Sequence, residues 1–130
     1  MELKDLVGMK VKKAMMQGGD ILLETPEGTI RLFPEGDCCA SCYITDIDGS
    51  EALKNSTIKE VEDLVRPALP DNEKTDEVSD VWGHRIHTTK GIVTIGMRVD
   101  HNGYYGGSLY VSKEKGELRM DTVKDLEDFA

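Results

Sequence analysis

The stretch Arg98-Val99-Asp100-His101-Asn102-Gly103-Tyr104-Tyr105-Gly106-Gly107-Ser108-Leu109-Tyr110 forces the chain to fold back on itself. Asn-Gly is a strong hairpin signal because both residues tolerate positive φ, and Gly106-Gly107 repeats that freedom four residues later. Two tyrosines lie between the glycine pairs, where a turn displays rings rather than burying them. Displayed rings either pack against a neighbouring subunit or stack on a ligand, and the sequence leaves both open.

The flanks alternate with a period of two. Val93, Ile95, Met97 and Val99 fall on one face, and Ile92, Thr94, Gly96 and Arg98 on the other. Beyond the turn, Leu109 and Val111 are expected to point to the core, with Ser108, Tyr110 and Ser112 outward. Leu118 and Met120 repeat the inward pattern, and Glu117 and Arg119 the outward one. Three successive short strands would thus offer Arg98, Tyr110 and Arg119 to one non-core side. A planar ring with two forked cations suits a base plus phosphates, while a solvated sheet face is the competing explanation.

At 130 residues the chain is long enough for one domain, residues 1–130, that buries roughly two thirds of its unfolded surface. A formal net charge of -9 repels polyanions, which argues against DNA, RNA or an anionic membrane as partner. An anionic ligand would need a local basic pocket. No apolar run reaches the length of a membrane span, and Met1-Glu2-Leu3-Lys4-Asp5 lacks the start of a signal peptide, so a cytosolic chain with reduced thiols is expected. Cys38, Cys39 and Cys42 fit neither a disulfide framework nor paired zinc spacing, and read as small buried thiols. His84 and His87, three apart in a strand pattern, would face opposite sides and share no metal.

Taken in order, Leu3 to Val7 reads as a short helix ending at Gly8. Met9 to Met16, Asp20 to Thr25 and Thr29 to Phe33 read as a meander joined by Gly18-Gly19 and Pro26-Glu27-Gly28. Within the block 34–49, Asp37 reads as a helix cap, Ile44 and Ile47 share a helical face, and Ser50 to Lys54 is a second short helix. Thr57 to Val65 and Val81 to Lys90 read as strands, the latter holding Trp82, whose ring is either core or a stacking platform. Residues 66–80 read as an exposed acidic loop. Asp121 would cap a terminal helix with Val123, Leu126 and Phe129 on its apolar stripe. The expected fold class is therefore α+β: a mostly antiparallel β-sheet with short helices inserted after the Gly36-Asp37-Cys38-Cys39 block and at the C-terminus.

No nucleophile elbow, phosphate-binding loop, zinc-protease helix or dinucleotide glycine pattern is present. Asp100 beside His101 is the one obvious acid and base pair, and strand neighbours point apart. A binding protein rather than an enzyme is expected, with no cofactor and no metal.

Two segments carry a resemblance. Glu35-Gly36-Asp37-Cys38-Cys39, followed by Asp46-Ile47-Asp48-Gly49, and Asn102-Gly103-Tyr104-Tyr105-Gly106-Gly107 resemble the signature of a phage-associated domain family, which is similar to the first family of Thoeris anti-defence proteins. The resemblance implies a phage-encoded sponge, acting in the host cytoplasm during infection, that binds cyclic ADP-ribose isomers without cleaving them. It also implies cyclic dinucleotides or trinucleotides as further ligands, the immune signals of CBASS systems, and a homodimer or a higher homo-oligomer such as a hexamer. Carried over by motif, Asn102 and Arg119 are ligand contacts, to which the residue reading adds Arg98, Tyr104, Tyr105 and Tyr110. The chain departs from the family pattern at Ala40 and at Val99-Asp100-His101, and an acidic residue beside a phosphate site bears on ligand preference. Two alternatives stand beside the sponge: an enzyme degrading such a signal, and a protein-interaction module anchored by Tyr104 and Tyr105.

Overall fold

The computed structural model describes residues 1–36, 41–65, 78–101, 107–114 and 122–126. Among the described residues, ten strands form two antiparallel sheets: β1 (Lys10–Val11), β2 (Lys13–Gln17), β3 (Asp20–Thr25), β4 (Gly28–Gly36), β5 (Ser41–Asp48), β6 (Ser56–Val65), β7 (Val78–Thr88), β8 (Gly91–His101), β9 (Gly107–Lys113) and β10 (Lys124–Asp125). One five-stranded sheet runs β1-β6-β7-β8-β5 and the other β10-β2-β3-β4-β9. The apolar residues of both inner faces meet between them, with Ile86, Val93, Ile95 and Met97 from the first sheet and Ile21, Leu23, Ile30 and Leu32 from the second.

A bend at Lys12 carries the chain from one sheet to the other. Lys12 separates β1 from β2: its N–H donates to Glu24 O at 2.8 Å, beside the second sheet's β3, and its carbonyl accepts from Asn55 N at 3.3 Å, beside the first sheet's β6. At the opposite corner β5 approaches β9 without pairing to it, and a Cβ added at Gly107 would lie 2.8 Å from Cys42 Cβ. That close approach, rather than turn geometry, is what glycine serves at the second position of the Gly106-Gly107 pair.

The α+β expectation is overturned. Residues 41–48, with Ile44 and Ile47 read as a helical face, form strand β5. The register shifts between Ile44 and Asp46, so that Ile44 opposes Met97 and Ile47 opposes Ile95. The bulge inserts one residue, Thr45, and an i,i+3 pair then lands on one face of a strand, imitating helical spacing. The same device works in β6, where a shift between Ile58 and Glu60 lets Ile58 oppose Thr88 and Val61 oppose Ile86. Helical geometry among the described residues is confined to 3-10 turns: Leu3–Leu6, which buries Leu6, Ser50–Leu53, which buries Ala52 and Leu53, and single residues near the C-terminus. The expected terminal helix is corrected as well, since Lys124–Asp125 is a strand paired with Met15 and Met16. Its Leu126 is nevertheless core, at 1% exposure.

The meander β2-β3-β4 stands as read, although Met9 to Met16 is two strands rather than one. Strands β6 and β7 stand where the alternation placed them, and β7 begins at Val78, inside the stretch read as acidic loop. The loop residues 66–77, the helix cap at Asp37, Cys38, Cys39 and Ala40, the strand read at 117–120, and Phe129 lie outside the described residues.

Candidate functional site

The register of the β6-β7 pair sets Asp63 opposite His84 and Val65 opposite Trp82. Positions 82, 84 and 86 share one face of β7, and Ile86, wholly buried, fixes that face as the inner one. On the inner side His84 Nδ1 meets Asp63 Oδ1 at 2.8 Å. The neighbouring positions point outward, where His87 Nε2 and Arg85 Nη1 meet the Glu62 carboxylate at 2.8 and 3.1 Å. The two histidines therefore do face opposite sides of the sheet.

Toward the end of β7 away from the Ser50–Leu53 turn, the sheets leave a cleft of about 470 Å³ between them. Val61, Asp63, Trp82 and His84 form one wall, Ser108 and Leu109 of β9 the other, and Glu2 to Lys4 border it. Val61, Trp82 and Leu109 pack against the main core, so the cleft continues that core outward. Its charged lining is acidic: Glu2 and Asp63 contribute carboxylates, Glu62 borders it with its carboxylate turned to the outer face, and the Lys4 ammonium is bonded to Glu2 at 3.0 Å. The His84 side chain is 13% exposed and that of Asp63 74%, so the carboxylate sits at the mouth and the imidazole inside. His84 Nε2 is buried with no hydrogen-bond partner.

The expected ligand surface is not assembled as the sequence suggested. Strands β8 and β9, read as neighbours, belong to different sheets. Arg98 lies on the outer side of the first, its Nε bonded to Asp100 Oδ1 at 3.0 Å, while Tyr43 Oη donates to Asp100 Oδ2 at 3.1 Å. Asp100 is thus bonded to Arg98 and Tyr43 on that outer face. Tyr110 is exposed on the second sheet and stacks on Phe33, with ring centroids 5.8 Å apart. Neither Arg98 nor Tyr110 lines the inter-sheet cleft. Asn102, Tyr104, Tyr105 and Arg119 lie outside the described residues. Cys42, read as a small buried thiol, is half-buried with its sulfur 3.9 Å from Ser108 O, and burial pushes its pKa up, away from the reactive thiolate. Among the described residues no three His, Cys, Asp or Glu side chains gather as a metal site would require.

A family model described as a domain of unknown function, DUF7448, matches residues 4–111. The chain belongs to this family. The DUF7448 segment contains the cleft-lining residues Lys4, Asp63, Trp82, His84 and Leu109 and both motif segments, and it ends before β10. No curated protein and no solved structure matches the chain. No helix among the described residues is long and apolar enough to cross a membrane.

Proposed function

We propose that the protein is a sponge that binds a cyclic nucleotide immune signal and withholds it from its receptor without cleaving it. The observation that carries this reading is the cleft. Its volume, about 470 Å³, is that of sites which enclose small molecules, and it offers an indole ring and an aliphatic wall between which a base can lie. The resemblance in the two motif segments supplies the ligand class: cyclic ADP-ribose isomers first, with cyclic dinucleotides and trinucleotides beside them. In this reading the protein works in the host cytoplasm during infection, as a homodimer or a higher homo-oligomer such as a hexamer, with no cofactor. Exposed Tyr43 and Tyr110 on the outer faces are the surfaces such an assembly would use.

Sequestration depends on slow release, which stacking against the Trp82 ring favours. Calorimetry with a cyclic ADP-ribose isomer, a cyclic dinucleotide and a cyclic trinucleotide tests the reading. Heat and a thermal shift are expected with at least one of them, and silence with all three ends the proposal. Trp82→Ala is expected to weaken binding about tenfold or more, since base stacking on an aromatic ring contributes ~1–3 kcal/mol.

The Asp63–His84 pair favours one second reading, a signal-degrading enzyme with His84 as base. Ser108, the hydroxyl residue of the cleft, makes no hydrogen bond to His84, so the contact that activates a nucleophile is not formed. Ligand recovered intact after heating the complex separates the sponge from the enzyme.

A further inference from the structure

The Asp63–His84 pair is unlike the other ion pairs of the sheets. Glu62, His87 and Arg85 satisfy one another on an outer face, whereas His84 has one nitrogen fixed and the other bare in a cleft wall. A carboxylate accepts hydrogen bonds, so Nδ1 donates to Asp63 and the neutral ring is left with Nε2 as its acceptor. A buried acceptor with no partner carries its desolvation cost without return, and buried polar atoms of native proteins are rarely left so. We infer that His84 Nε2 is the recognition contact for a flat, uncharged heterocycle that donates a hydrogen bond, seated in the cleft between Trp82 and Leu109.

The lining decides which part of a ligand enters. Carboxylates of Glu2 and Asp63 outnumber the single ammonium of Lys4, which is already bonded to Glu2. A phosphate placed there is repelled, while a neutral ring with an amino group is not. For a nucleotide the base therefore goes in and its phosphates stay outside. Trp82 supplies a stacking face, and Asp63 holds the imidazole in one tautomer and orientation. Because Nε2 is closed to solvent, seating the ring takes a local shift of the cleft's side chains, and the bond then forms away from competing water. The choice of an aminopurine as the ring rests on the sponge reading; the requirement for a neutral donor rests on the cleft alone.

Adenosine and purine riboside, which has the same ring without the amino group, test the inference. Trp82 is the only tryptophan, so its fluorescence reports the cleft, and the side-chain nitrogen resonances of His84 report the contact. Adenosine is expected to quench Trp82, to move the Nε2 resonance and to bind about tenfold tighter than purine riboside, a difference of about 1.4 kcal/mol. His84→Ala is expected to erase that preference. Equal affinity of the two probes for the unsubstituted protein, or an unmoved Nε2 resonance, overturns the inference without need of any variant. The two proposals fail separately. A cyclic ADP-ribose isomer that binds Trp82→Ala and His84→Ala undiminished overturns the cleft and leaves the sponge. Discrimination of adenosine with no cyclic nucleotide bound overturns the sponge and leaves the cleft.

Discussion

Glu62 and Asp63 are neighbours in β6 that serve opposite faces, one outward to His87 and Arg85 and one inward to His84. The hydrogen bond from His87, with help from Arg85, holds the Glu62 pKa below the usual carboxylate range. A depressed carboxylate stabilises the fold above its unfolded pKa, and that contribution is lost as pH falls through the lowered value. Glu62→Gln is therefore expected to flatten the acid limb of stability against pH, read by urea denaturation from neutral pH down past the carboxylate range. Arg31 is a stronger case. Its guanidinium joins Glu114, Asp20 at 2.7 Å and Gln17 at 2.6 Å, with side chains mostly shielded from water. Arg31→Met strands two partly buried carboxylates and is expected to cost about 2–3 kcal/mol in chemical unfolding. A lysine should recover little, because the planar fork serves three acceptors at once.

At the scale of elements, periodicity revealed strands wherever one face alone was buried and the pairing ran without interruption. Val93, Ile95, Met97 and Val99 are buried as the alternation of β8 required. It failed in β5 and stayed faint in β6, because each carries a bulge whose extra residue converts a period of two into a spacing of three. A bulge depends on the partner strand, which the local sequence does not name. The candidate site was illegible for the same reason. Asp63 and His84 are 21 residues apart, and only the register of the β6-β7 pair brings them together. Trp82 was visible as a residue that either fills a core or stacks, and it borders both. The grouping of Arg98 with Tyr110 assumed that consecutive strands share a sheet, whereas β8 and β9 do not. Gly107→Ala tests the corner that this sheet change creates. Its Cβ would press on Cys42 at 2.8 Å and lie 3.2 Å from Glu35 O, so a lowered unfolding temperature is expected, with Cys42→Gly restoring part of the loss.

For the whole molecule, most pairing is distant in sequence. Lys10 opposes Thr57, Met16 opposes Lys124 and Ile30 opposes Lys113. Such topology implies folding in about milliseconds to seconds, measurable by stopped-flow refolding. The core also reaches past the segment that defines the family. Leu126, 1% exposed and beyond residue 111, packs into the same cluster as Ile21 and Leu53. Leu126→Ala is expected to cost about 2–5 kcal/mol in denaturant unfolding, as other buried leucines do. Lys12 has a broader bearing, because its two backbone groups face opposite ways into the two sheets. With a residue inserted there, β1 cannot stay matched to β6 while β2 stays matched to β3, so one of the two must slip and turn its own interior side chains, Val11 or Ala14, out toward water.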